Sequence, residues 1–324
     1  MPAVSVWLGA ATAARLISSP SLRPRERRTP PPAAAVGAGA LLRSGHANPG
    51  PRGPLPAMAQ THDSLSPPAS EERVEITNKH GERLVGLLHN TGSNKIVVLC
   101  HGFIATKSDG LILDLTSALT KKGISVFRFD FSGNGESEGQ FEYGNYRKEA
   151  DDLYSVVLYL YQKNYDVTAV VGHSKGGDVV VLYASIYNNI RTIVNLSGRF
   201  DLKKGIEERI GEGSIDRINK EGYLDIKDKF ANVENFNYRV TKESLTERLN
   251  TDMRAASVSI SKECRFLTVH GSADKTIPVE DAYEFAKLIP NHKLHVIEGA
   301  NHNYTAHRKE VADAVVDFIM SNGV

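Results

Sequence analysis

Cysteine is scarce: the 324 residues contain only Cys100 and Cys264, each at the edge of an apolar run. That argues against a disulfide-stapled fold and fits reduced thiols in a core. No clustered spacing of Cys and His points to zinc. No uninterrupted apolar run approaches the roughly 18 to 20 residues that a membrane-spanning helix needs. Acids and lysines are almost missing from residues 1–57, which hold seven arginines (Arg15, Arg23, Arg25, Arg27, Arg28, Arg43, Arg52), one acid (Glu26) and no lysine. The formal net charge of +1 hides this segregation, because the chain beyond residue 57 carries 32 basic residues against 37 acidic ones. A mildly acidic body has no electrostatic pull on nucleic acid.

The first 57 residues, rich in Ala, Pro, Gly and Arg and without hydrophobic period, cannot form a packed core. They are expected to be a disordered extension. Their Arg-rich, acid-poor composition is that of a plastid or mitochondrial transit peptide. Arg15 interrupts the apolar stretch from Val6 to Ile17, against a secretory signal. An extension without an address is the plainer alternative, and translation from Met58 would give a cytoplasmic protein. Residues 58–72 read as a linker.

From residue 73 to 324 the pattern changes to short β-branched runs alternating with helical periods. RVEIT (73–77) and RLVGLLH (83–89), parted by NKHG, read as an opening hairpin. Strands are expected at 96–100, 125–130, 167–172, 192–197, 265–271 and 293–299, and helices near 110–121, 146–162, 175–187, 279–288 and 307–320. This alternation implies right-handed crossovers and an α/β fold with a mostly parallel central sheet flanked by helices. Between about 199 and 262 the alternation lapses into a charged, glycine-punctuated segment carrying Tyr223, Phe230, Phe236 and Tyr238. An insertion there is expected to be a small cap over the carboxyl ends of the strands, where open α/β sheets bind ligands. Its aromatics are expected either to line a substrate pocket or to form the cap's own core.

VVGHSKGGDVVV (170–181) sets Ser174 at a strand-to-helix junction between Gly172 and Gly176. A sharp turn there lifts the hydroxyl above the sheet edge and needs very small residues two positions away on each side. The helix that begins at the turn presents unpaired N–H groups to a developing negative charge. GESEG (135–139) matches the same pattern around Ser137, but no strand leads directly into it, no helix follows, and Glu136 and Glu138 would oppose an oxyanion.

A nucleophilic serine needs a base, and the base needs an orienting acid. Of eleven histidines, His302 in the loop GANHN after the final strand can reach back to the carboxyl edge. His173 should point away from the serine, His101 and His270 end strands, His295 lies inside one, and His307 adjoins the last helix. Asp274, in HGSADKTIP after the penultimate strand, is the expected acid, with Asp201 the runner-up. The order Ser174, Asp274, His302 is that of a strand-order hydrolase triad.

HGF (101–103), DFSGNGESEG (130–139), GHSKGG (172–177), HGSADKTIP (270–278) and GANH (299–302), taken together over residues 74–324, make the chain resemble the α/β-hydrolase superfamily. Within it the chain looks like the small-capped cinnamoyl and feruloyl esterase-like enzymes and their plant relatives. The resemblance implies an oxyanion hole formed by the backbone N–H groups of Phe103 and Lys175. It also implies hydrolysis of carboxylic esters of small acyl or aromatic acids through an acyl-enzyme, with no metal or organic cofactor. Lys175 departs from the glutamine often found at its position, and its ammonium is expected in solvent. A small-molecule ester is the expected partner, with no nucleic acid and no membrane span; the sequence carries no signal of oligomeric state. Because fold does not decide substrate, a peptidase, an acyltransferase and a non-catalytic small-molecule receptor are the alternatives.

Overall fold

The computed structural model describes residues 70–227 and 237–321, all within one unit spanning His62–Val324. The 1–57 extension, most of the 58–72 linker, Phe230 and Phe236 lie outside the described residues.

Strands β1 (Ser70–Thr77) and β2 (Arg83–Asn90) form the antiparallel hairpin expected around NKHG, with the first strand starting three residues earlier than its hydrophobic pattern. They are followed by β3 (Lys95–Cys100), α1 (Gly110–Thr120), β4 (Ser125–Phe129), α2 (Tyr146–Gln162), β5 (Asp166–His173), α3 (Lys175–Tyr187) and β6 (Thr192–Leu196). After an insertion come α7 (Met253–Ser259), β9 (Arg265–Gly271), α8 (Glu280–Leu288), β10 (His292–Ile297) and α9 (Arg308–Met320). The eight strands order as β1-β2-β4-β3-β5-β6-β9-β10, with β2 antiparallel to β4 and every pair from β4 to β10 parallel. All the carboxyl ends from β3 to β10 therefore meet on one edge.

Continuous apolar runs follow from burial on both faces of a parallel sheet. One face packs Val98, Phe127, Val170, Ile193 and Phe266 under α2, α3 and α7. The other packs Val97, Val126, Val171, Val194 and Leu267 under α1 and α9.

The insertion folds as α4 (Ile206–Ile210), α5 (Ser214–Glu221), strands β7 (Tyr223–Lys227) and β8 (Asn237–Thr241), and α6 (Lys242–Asn250), with β7 and β8 paired antiparallel. Its own core gathers Ile206, Ile210, Ile218, Leu224, Val240 and Leu245. The expected cap limit of 262 is too late. Met253, Ala256 and Ile260, in and just after α7, join the core beneath α3, so this part belongs to the main body.

The DFSGNGESEG turn is a structural knot. The Asp130 carboxylate is fully buried and accepts from the Lys107 ammonium at 2.5 Å, the Lys107 amide at 2.7 Å and the Glu136 amide at 3.0 Å. Ser137 donates its hydroxyl to the Asp130 carbonyl at 2.6 Å and accepts from the Val85 amide at 2.8 Å, so the second glycine-serine-glycine match closes a turn. Removing one partner of a buried pair strands the other charge. Asp130→Ala is expected to lower unfolding stability by on the order of 3 kcal/mol, measured by denaturant titration. A loss below about 1 kcal/mol would show that Glu136, 3.3 Å from the Lys107 ammonium, suffices to hold it.

Candidate active site

Ser174 lies between the end of β5 and the start of α3 with φ 56° and ψ −119°, outside the conformations an L residue favours. Its neighbours explain how the turn closes. A Cβ on Gly172 would lie 2.0 Å from the Gly176 carbonyl oxygen, and one on Gly176 would lie 2.5 Å from that of His101. Gly177 lets α3 approach β6, since a Cβ there would meet the Asn195 side-chain oxygen at 2.3 Å. The Ser174 amide donates to the Leu196 carbonyl at 2.8 Å, anchoring the turn to the neighbouring strand. The loop after β3 lies against it: a Cβ on Gly102 would come within 3.1 Å of the Ser174 Cβ.

Three side chains separated widely in sequence form a chain of hydrogen bonds at this edge. The Ser174 hydroxyl donates to His302 Nε2 at 3.0 Å, and His302 Nδ1–H donates to Asp274 Oδ2 at 2.7 Å. Asp274 Oδ1 accepts from the amides of Thr276 and Ile277 at 2.8 and 2.9 Å. Burial alone would raise the Asp274 carboxyl, but hydrogen bonds from His270 and His302, the His302 charge and the Ile277 amide hold it far below the ordinary carboxylate range. It stays an anion and keeps the His302 ring oriented. His173 points away from the serine, as expected; its Nε2–H donates to the His302 carbonyl at 2.9 Å and so fixes the histidine loop. Burial, then the nearby His302, keeps His173 below the usual imidazole range and therefore neutral. Asp201 sits apart, accepting from the Lys203 amide and facing Lys204 on the surface.

One further expectation is corrected, and one that was left with two alternatives is decided for the described residues. Lys175 is 6% exposed, not solvated: its ammonium lies 2.6 Å from Glu149 on α2 and 5.2 Å from the Tyr146 ring centroid. Burial pushes the Glu149 carboxyl up to about 7 against the pull of Lys175. Nor do the described cap aromatics line the cavity. Tyr238 is buried in the cap core with its ring centroid 5.7 Å from that of Phe103, and Tyr223 lies exposed under the Arg239 guanidinium at 3.9 Å. A cleft of about 1060 Å³ instead opens above Ser174 between Phe103, Tyr143, Tyr146, Arg199 and Arg248. For Glu149 and Arg248, which the sequence reading passed over, the signal was periodic. Glu149 falls among Tyr146, Ala150, Leu153 and Val157 on the core face of α2, and Arg248 follows Ser244 and Leu245 on that of α6.

A family model described as serine aminopeptidase, S33, matches residues 91–308. The chain belongs to this family. Among curated proteins it is similar to the putative uncharacterized protein YDL057W of Saccharomyces cerevisiae, 27% identical over 235 residues covering 65% of this chain and 69% of that one. Among solved structures it is similar to Est1E of Butyrivibrio proteoclasticus with ferulic acid bound, at TM-score 0.62 and 23% identity over 76% of this chain and 98% of that one. It is also similar to the Pyrococcus furiosus esterase Pf2001, at TM-score 0.60 and 23% identity over 78% and 93% of the two chains. The family membership and the shared fold make this chain an α/β hydrolase. Among the described residues, no group of three His, Cys, Asp or Glu side chains could hold a metal ion, and no helix is long and apolar enough to cross a membrane.

The buried Glu149 predicts a pH dependence whose sign follows from its raised value. The folded state retains a proton that the unfolded chain loses near pH 4.5, so stability falls as pH rises from about 4.5 to 7. Denaturant unfolding at pH 5 and pH 7.5 should show a smaller loss in Glu149→Gln than in the wild type. Equal losses in both proteins would assign the slope to another group.

Proposed function

We propose that the protein is a serine hydrolase that cleaves carboxylic esters of small acyl or aromatic acids through an acyl-enzyme. The observation that carries this reading is the unbroken run of hydrogen bonds from Ser174 through His302 to Asp274 at the strained strand-to-helix turn. Ser174 attacks the acyl carbonyl while His302 Nε2 takes its proton. Asp274 keeps Nδ1 protonated and stabilises the imidazolium that forms. The tetrahedral oxyanion lies against the backbone N–H groups of Phe103 and Lys175. The Lys175 amide is in the first turn of α3, where N–H groups have no intrahelical partner, and Gly102, packed on Ser174, brings the Phe103 amide alongside. His302 then returns the proton to the leaving alcohol, and an activated water releases the acid by the reverse sequence. The ferulic acid bound to the similarly folded Est1E supports an aromatic acyl group as one candidate.

The family description favours one second reading, removal of an N-terminal residue from a peptide, by the same three side chains. Such a substrate brings an ammonium, and the exposed carboxylates lining the cleft are Glu207, Glu208 and Glu212 on and beside α4. Parallel assays on acyl esters and on amino-acid anilides separate the two: faster hydrolysis of the anilides would replace the esterase reading.

Two measurements test the assignment. A fluorophosphonate probe should label the purified wild-type protein and fail to label Ser174→Ala; equal labelling of the variant would move the nucleophile elsewhere. Asp274→Asn is expected to lower kcat for a small ester by roughly 10³ to 10⁴-fold by allowing the wrong His302 tautomer, while Asp201→Asn stays within about twofold. Similar losses in both would leave Asp274 without a special role.

A further inference from the structure

The cleft that Ser174 lines also carries two buried guanidinium groups whose side-chain hydrogen bonds, among the described residues, go only to neutral oxygens. Arg248 is 8% exposed and Arg199 9%, and both line the same cleft as Ser174. Arg248 donates from Nη1 to the Tyr146 hydroxyl at 2.5 Å and from Nη2 to the Lys204 carbonyl at 3.3 Å, and its Nε–H has no partner. Arg199 donates from Nη2 to the Thr276 carbonyl. Each guanidinium has five N–H donors, so among the described residues three of ten are engaged, all by neutral oxygens.

The carboxylates nearest them, Asp178 and Glu247 by Arg248 and Asp178 and Asp281 by Arg199, act at a distance, and among the described residues none accepts a hydrogen bond from either guanidinium. The Lys175 ammonium, in the same cleft, is paired with Glu149 at 2.6 Å. Asp178 is spent on the Arg199 backbone amide at 2.6 Å, and burial drives its carboxyl well above the ordinary range, towards the neutral form. Glu207 accepts from the Gly213 amide, and Glu207, Glu208 and Glu212 are exposed. Burial raises the Tyr143 phenol above its ordinary range, and against it Arg248, Arg209 and Arg199 each lie near enough to pull the other way, so three cationic groups converge on one region of the cleft. A buried guanidinium facing neutral oxygens bears a desolvation cost that an incoming anion offsets, and its planar fork suits two-oxygen acceptors.

We propose that Arg248 and Arg199 form a subsite for an anionic oxygen group, carboxylate or phosphate, on the substrate, so that the ester cleaved at Ser174 is negatively charged. This rests on the proposed ester hydrolysis at Ser174 and names the class of molecule it acts on. The two guanidiniums bind the anion at a distance from the reacting carbonyl and hold the ester in register with the serine. The same positive wall disfavours a peptide's N-terminal ammonium.

The test compares mono-4-nitrophenyl glutarate with its neutral methyl ester as substrates of the full chain. The anionic ester should show at least a tenfold higher kcat/KM, and Arg248→Gln should reduce that preference at least tenfold. Arg239→Gln, on the cap surface and paired with Asp225, should leave the preference unchanged. Equal or faster turnover of the neutral ester by the wild type would overturn the subsite while leaving ester hydrolysis standing. If neither ester is turned over, thermal unfolding of Ser174→Ala with glutarate, glutaramide and inorganic phosphate decides independently of catalysis. Stabilisation by either anion, absent with glutaramide and lost on adding Arg248→Gln, supports the site and shows which anion it prefers. No stabilisation by either anion overturns it.

Discussion

The turn at Ser174 is a backbone held in an unfavourable conformation by its surroundings, and the rest of the site is arranged around it. A non-glycine residue at φ 56° and ψ −119° costs on the order of 1 to 3 kcal/mol. It persists because β5 is a central strand, flanked by β3 and β6, and because α3 is pressed onto the sheet through Gly176 and Gly177. Van der Waals contact at those glycines leaves no slack in which the turn could relax. Strain and close approach together place the serine hydroxyl above the carboxyl edge, where loops from two later strands can reach it.

Those loops are held as firmly as the turn. Asp274 is tied by two backbone amides in its own loop, and the His302 backbone is tied by His173, so the imidazole lies between fixed points on both sides. Tyr304 adds a further tie: fully buried, it donates to the Val269 carbonyl at 2.9 Å and shares a hydrogen bond with Ser197. Preorganisation of this kind holds Ser174, His302 and Asp274 in hydrogen-bonding register without any movement of the loops.

Charge is distributed in the same directed way. One anion, Asp274, is hydrogen-bonded to His302; one buried ion pair joins Lys175 and Glu149; and the guanidiniums of Arg199 and Arg248 line the cleft. In a setting partly closed to water each charge acts over a longer range than on the surface. The pairing of Lys175 with Glu149 matters for this balance, because it gives one cation lining the cleft a carboxylate partner that, among the described residues, Arg199 and Arg248 lack.

Much of this was legible in the chain because it is local. The strand-helix alternation follows from short-range hydrophobic period, and α2, α3 and β9 begin and end where that period does. Ser174, Asp274 and His302 were readable because each sits at the end of a strand, and parallel strands bring their ends to one edge. The cap was less legible: β7 and β8 are short, charged and half exposed, so they have little period of their own. Tyr238 and Tyr223 could not be assigned from composition, since an aromatic residue suits a pocket wall, a small core or a surface cation equally well. The sequence by itself determined the order of the elements, the tight turn at Ser174 and the strand ends that carry Ser174, Asp274 and His302, through period, glycine spacing and strand order. Only tertiary structure decided that Lys175 turns inward to Glu149, that the cap aromatics leave the cleft, and that Arg199 and Arg248 line it. A charge's partner depends on which distant side chain shares its buried space, and no local pattern encodes that.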